Sequence, residues 1–289
     1  MQHHRLLGSF MAALGLGGLL ALAGCQGGVG SINTGGDSTG SLLSSDNGTL
    51  AVATSSYLVL DLDAGTYTTR TDLPEIVSDT AYQGRLMAFK RVSGNGADYF
   101  VGTAEVTQGQ WSRLVQSTDS AALKAPWTSV LDLVSAAGSP AQGSAMPAFN
   151  MSYVDAAAVV NGYNSRKGTK LGFPTAAQWR FACSAGSAGT YSWGDASDRT
   201  TVAPRAAVAP TQDGVKGPRS AYGRLPNAFG LYDMHGNVWE WTAGGTAALG
   251  GSWYDGLALA RISNQLGAAE GVVDTEGHPL IGLRLIIQP

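Results

Sequence analysis

The chain has 289 residues, a formal charge of -3, only 13% charged residues and 40 glycines. So weak a charge excludes the basic stripe that grips nucleic-acid phosphates. Two cysteines and four histidines supply too few ligands for a multi-histidine zinc or iron centre.

His3, His4 and Arg5 precede an apolar run over residues 6–23, rich in Leu, Ala and Gly, which reads as an export signal. It closes on Leu22-Ala23-Gly24-Cys25, which resembles a bacterial lipobox. Residues 1–24 are therefore expected to be a signal peptide and Cys25 the lipidated residue, with two or more acyl chains giving stable anchoring. A single transmembrane helix is the rival reading, but the run is glycine-rich and short for a span. Residues 25–49, dominated by Gly, Ser, Asn and Thr, have the composition of a flexible tether. Gln26 stands where an aspartate often retains a lipoprotein at the inner membrane, so the outer membrane is the expected address. With Cys25 lipidated, Cys183 has no partner for an internal disulfide and is expected as a buried small hydrophobe.

Residues 50–289 fit one domain. The alternation of Tyr57-Leu58-Val59-Leu60-Asp61-Leu62 predicts a strand ending in the turn Asp63-Ala64-Gly65. A second strand is predicted over residues 86–92, with a turn at residues 93–96, and a third at Tyr99-Phe100-Val101-Gly102. Thr107 then caps a helix that places Trp111 and Leu114 on one face. Residues 117–148 carry little signal and read as an insertion with one short helix. A further helix is predicted at residues 154–160, after Ser152, and another after Thr175, with Trp179 facing the core. Trp193, Trp239, Trp241 and Trp253 are expected to pack as large anchors for loops that cannot form ladders.

Three further segments carry a resemblance. Residues 171–180 end in Pro174-Thr175-Ala176-Ala177-Gln178-Trp179-Arg180, and residues 227–241 end in His235-Gly236-Asn237-Val238-Trp239-Glu240-Trp241. Gly250-Gly251-Ser252-Trp253 and Ile281-Gly282-Leu283-Arg284-Leu285 follow. Together they resemble the formylglycine-generating-enzyme (sulfatase-modifying-factor) family over nearly all of residues 55–289. The resemblance implies an α+β, C-type-lectin-like fold that is loop-rich, with little regular secondary structure.

The family's enzymes bind copper through a cysteine pair and oxidise a substrate cysteine. Counted from the Gly-Gly-Ser turn, the matching positions fall near Asp255 and Ala260, and no cysteine follows Cys183, so no copper is expected. The family also implies a structural calcium, carried over to Asp233, Gly236, Val238 and Glu240, an all-oxygen set suited to a hard cation. These carboxylates serving merely as turn caps is the competing reading. Either remaining histidine, His235 or His278, is a poor candidate for a catalytic base.

The stretch between Trp253 and Ile281 mixes polar and small apolar residues without strict periodicity, as an exposed surface on a rigid scaffold would. This layout resembles the variable proteins of diversity-generating retroelements, with a variable region at about residues 250–285. Ligand contacts are expected from Tyr254, Asp255, Leu257, Leu259, Arg261, Ser263, Asn264 and His278. The expected function is a non-catalytic, lipid-anchored display protein for an unknown protein or glycan ligand, monomeric and without nucleic acid. A periplasmic enzyme using a non-cysteine route and a structural envelope lipoprotein are the alternatives.

Overall fold

The computed structural model describes residues 56–287, apart from 95–96, 117–119, 135–140 and 212–215. The signal peptide, the tether and the lipidation site at Cys25 lie outside the described residues, as does part of the turn expected at residues 93–96.

The chain opens on the hairpin β1 (Tyr57–Asp61) and β2 (Thr66–Arg70), followed by β3 (Leu86–Gly94) and β4 (Ala97–Gly102). β1 buries Leu58 and Leu60 completely on one face, which fixes its register against β3, where Leu58 faces Phe89 and Leu60 faces Met87. Sequence patterning missed β2, because Thr66-Tyr67-Thr68-Thr69-Arg70 buries no residue fully. It forms at the sheet edge through its ladder to β1.

Helix α1 (Gln108–Leu114) starts as expected. The Thr107 side chain accepts from the Gln110 amide, the Gln110 side chain accepts from the Thr107 amide, and Trp111 and Leu114 are buried. The insertion holds more helix than expected: short turns at Ala121–Lys124 (α2), Pro126–Val130 (3-10) and Leu131–Val134 (α3). Trp127 and Val130 are buried there, and they anchor these turns to the main core. Helix α4 (Tyr153–Lys167) is capped by Ser152 and ends at Gly168 in the left-handed region. β5 (Leu171–Gly172) leads to α5 (Ala176–Ser184), which repeats the reciprocal capping of α1 with Thr175 and Gln178 and buries Trp179 and Cys183. A last short helix, α6 (Arg199–Val202), precedes a region held mostly by loops.

Two sheets organise the rest. β6 (Trp239–Trp241), β7 (Ala247–Leu249), β8 (Leu266–Gly267) and β9 (Ile281–Gly282) form a four-stranded sheet in the order β8-β7-β6-β9, in which β6 and β9 run parallel. The final strand, β10 (Ile286–Ile287), inserts between β4 and β5, giving the first sheet the order β2-β1-β3-β4-β10-β5, antiparallel throughout. Trp111, Trp239, Trp241 and Trp253 belong to the main core, Trp179 to a second cluster, and Trp193 is only half-buried at the margin of a third. Among the described residues no helix is long and apolar enough to cross a membrane.

Candidate functional site

The strand β6 places Glu240 in the centre of the molecule, where it meets Arg284 arriving from the segment between β9 and β10. Both side chains are fully buried, at 1% and 0% exposure. The Arg284 guanidinium donates to Glu240 Oε1 at 2.7 Å and to Oε2 at 2.9 Å, and its other donors reach the carbonyls of Gly102 and Tyr232 at 2.9 Å. Trp179 Nε1 donates to Glu240 Oε2 at 2.5 Å. One ion pair thus ties α5, both sheets and the C-terminal segment together.

Two more carboxylates are buried nearby. Glu105 accepts from the Asn237 side chain at 2.8 Å and from the Val238 amide at 3.2 Å. Burial, then the charges of Asp233 and Glu240, push its carboxyl well above the usual range. Asp233 accepts from the Tyr222 amide at 2.7 Å, and burial pushes it up to about 6.

The resemblance implies a calcium on Asp233, Gly236, Val238 and Glu240. Both Glu240 oxygens are engaged by Arg284, whose fixed positive charge does the neutralising that a cation would do. The Asp233 carboxylate turns one oxygen to the Tyr222 amide. Among the described residues no three acid, His or Cys side chains converge on one point. Both carboxylates of that set thus already have partners within the protein.

The Gly-Gly-Ser-Trp turn frames the surface expected to bind ligand. Gly251 has φ +80, and a Cβ there would lie 2.9 Å from Ala260, so only glycine lets the turn close on the following loop. Asp255, expected as a ligand contact, is instead buried at 7% exposure. Its Oδ2 accepts from the Ser252 amide and hydroxyl at 2.9 and 2.6 Å and from Trp239 Nε1 at 2.8 Å. It is a staple between the turn and β6, because a short acceptor two residues after Trp253 satisfies donors that burial would otherwise strand.

The other expected contacts divide. Tyr254, Arg261 and Ser263 are exposed, while Leu257, Leu259, Asn264 and His278 are half-buried. Leu257 and Leu259 pack against the core clusters, and Asn264 donates to the Leu259 carbonyl at 3.0 Å. His278 accepts from the Leu280 amide at 3.2 Å, and burial holds it down to about 4. Trp253 and Ile281, expected as buried flanks, are at 4% and 0% exposure.

His235 lies under the stacked rings of Tyr191 and Trp193, whose centroids are 4.9 Å apart. Its Nδ1 is 2.8 Å from the Ala260 carbonyl and must donate there, leaving Nε2 as the acceptor. Nε2 lies 3.0 Å from the half-buried Ser192 hydroxyl, an arrangement the sequence reading did not single out. The Ser192 amide also donates to Nε2 at 3.1 Å, so the lone pair a general base needs is already used. Burial holds His235 down to about 4, and it pushes the Cys183 thiol, 3.6 Å from Nε2, well up. This cluster is a packed, neutral wedge.

A six-stranded antiparallel sheet completed by the C-terminal strand, a smaller mixed sheet, and long loops pinned by tryptophans and one buried ion pair define a C-type-lectin-like α+β fold. The sulfatase-modifying factor enzyme 1-like domain model matches residues 55–288, and the chain belongs to that family. It is similar to the formylglycine-generating enzyme of Mycobacterium tuberculosis (38% identical over 107 residues, 33% of this chain and 32% of that protein). It is also similar to the inactive Cα-formylglycine-generating enzyme 2 of Bos taurus (34% over 142 residues, 42% and 44%). The chain thus spans less than half the length of these curated relatives. Among solved structures, Treponema denticola variable protein 1 superposes with a TM-score of 0.52 at 16% identity, covering 71% of this chain and 96% of that one. PvdO from Pseudomonas aeruginosa gives 0.53 at 21%, covering 71% and 85%.

Proposed function

We propose that the chain is a non-catalytic display protein, lipid-anchored through Cys25 at the outer membrane, whose C-terminal loops bind a protein or glycan ligand. In this reading it is a variable protein of a diversity-generating retroelement. The observation that carries the proposal is what stands at the family's two copper-binding positions. Asp255 is a buried carboxylate spent on Ser252 and Trp239, and Ala260 is a methyl at 0% exposure. Neither can hold copper(I), which selects soft thiolate ligands. A segment relieved of that chemistry keeps its anchors, Trp253 and Ile281, and offers Tyr254, Arg261 and Ser263 to solvent. A relative whose own name calls it inactive supports a family member without catalysis. The likeness to a variable protein supports a scaffold able to carry a display loop.

The test is to sequence the locus across independent isolates. Substitutions concentrated at adenines in the codons for residues 254–280, beside a near-copy of those codons and a reverse-transcriptase gene, are the expected result. An invariant segment with no such neighbours would remove the retroelement reading. For the anchor, Cys25→Ala should move the protein from the detergent phase to the aqueous phase, and unchanged partitioning would remove that part.

A further inference from the structure

A groove of about 390 Å³ opens between the insertion, the start of α4 and residues 276–279. That is within the range of small-ligand sites, about 300–1,000 Å³. Its apolar lining includes Leu123, Val130, Met151 and Pro279. At one corner Asn150 has φ 66, and a Cβ on Gly277 would come within 2.5 Å of the Asn150 carbonyl, so a glycine is required where the two segments meet.

The polar groups of this wall share a property. Thr128 Oγ1 donates to the Ala125 carbonyl at 2.8 Å and Ser129 Oγ to the Pro126 carbonyl at 3.0 Å. Asn150 Nδ2 donates to the Pro126 carbonyl at 2.8 Å and to Ser129 Oγ at 3.1 Å. Ser152 Oγ donates to Asp155 Oδ2 at 2.7 Å. These side-chain donors are turned back onto the protein, and the lining also includes two carboxylates, Glu276 and Asp155, the latter with one oxygen held by Ser152. No lysine or arginine lines the groove.

The geometry points to a site for a lysine side chain presented by a partner protein, its aliphatic stem on the apolar lining and its ammonium between Asp155 and Glu276. An ammonium brings three donors and no acceptor, the complement of an all-acceptor wall. A neutral polar ligand would need donors that the wall has already spent, and an anion would meet two like charges. The inference rests in part on the display reading, because Glu276, Gly277 and Pro279 belong to the segment assigned there as binding surface. The other walls come from the insertion and α4, which that reading does not involve.

The test titrates the full chain, 15N-labelled, with an N-acetylated, C-amidated Gly-Lys-Gly peptide and its norleucine counterpart. The lysine peptide should shift amides in residues 121–130, 150–155 and 276–279, more weakly as salt rises, and the norleucine peptide should not bind. Glu276→Gln, at an exposed position, should weaken binding at least fivefold with an unchanged melt, and Asp155→Asn added to it should abolish binding. Equal binding of the norleucine peptide, no binding of either, shifts confined to residues 254–264, or an unaltered affinity in Glu276→Gln would each overturn the site. None of these outcomes bears on variation at the locus, so the groove and the display reading can fail separately.

Discussion

Replacing Arg284 with methionine tests whether the buried ion pair organises the domain. The substitution keeps much of the side-chain volume but leaves Glu240, at 1% exposure, without its cation, and leaves the Gly102 and Tyr232 carbonyls without their donors. Breaking one side of a buried pair costs about 3–5 kcal/mol. For a domain of this size each kcal/mol moves the melting temperature by about 2–4 °C, so a fall of about 6–20 °C is expected in thermal melts followed by circular dichroism at pH 7. Glu240→Gln added to Arg284→Met should recover part of the loss, since it removes the stranded charge. The deficit should also depend on pH. The folded state raises Asp233 to about 6 and Glu105 well above its ordinary range. Folding therefore favours their protonated forms, and stability falls as pH rises through those folded values. Without Arg284 the folded values move higher still, so the deficit at pH 7 should exceed that at pH 5. A single variant within about 1 kcal/mol of the wild type, where ordinary surface changes lie, would refute the reasoning.

Trp253→Ala should cost about 3–5 kcal/mol in urea unfolding as a large core truncation, and a loss under about 1 kcal/mol would show that the turn is not anchored by this ring. Asp255→Ala should destabilise measurably by stranding Trp239 Nε1, whereas Tyr254→Ala and Ser263→Ala should stay within about 0.5 kcal/mol; equal effects would erase the division between staple and surface. His235 is held down to about 4 in the fold, so its contribution is complete above its ordinary 6.5 and is lost as pH falls through 4. A His235→Asn variant should accordingly lose less stability than the wild type over that window, and parallel curves would count against it. Chelator should leave the melt unchanged, because Arg284 already balances Glu240; a calcium-dependent rise would restore the metal shell.

Those parts of the fold written as local patterns could be read from the sequence. The capping residues Thr107, Ser152 and Thr175, the core-facing Trp111 and Trp179 and the alternation of β1 all follow from chemistry within a few positions. β2 was hidden because an edge strand needs no buried face. The site was less legible. Asp255 looks like any polar loop residue until β6 places Trp239 Nε1 against it, and Glu240 looks like a calcium ligand until Arg284, 44 positions away, reaches it. The pairing of His235 with Ser192 and the groove beside Asn150 likewise arise from segments distant in sequence, which no spacing rule connects.

The insertion of β10 between β4 and β5 has a consequence for how the molecule is made. Ile286 pairs with Val101 on one side and Gly172 on the other, so a strand near the end of the chain fills the interior of a sheet begun at Tyr57. A growing chain emits its N-terminal segments first, and until Ile286 and Ile287 emerge the edges of β4 and β5 stand open to whatever else can pair with them. Arg284, which neutralises Glu240, arrives with the same few residues. Synthesis therefore leaves this domain without its central charge balance and with an unfilled slot until residues 284–287 are made, an interval in which a holding chaperone would have something definite to shield.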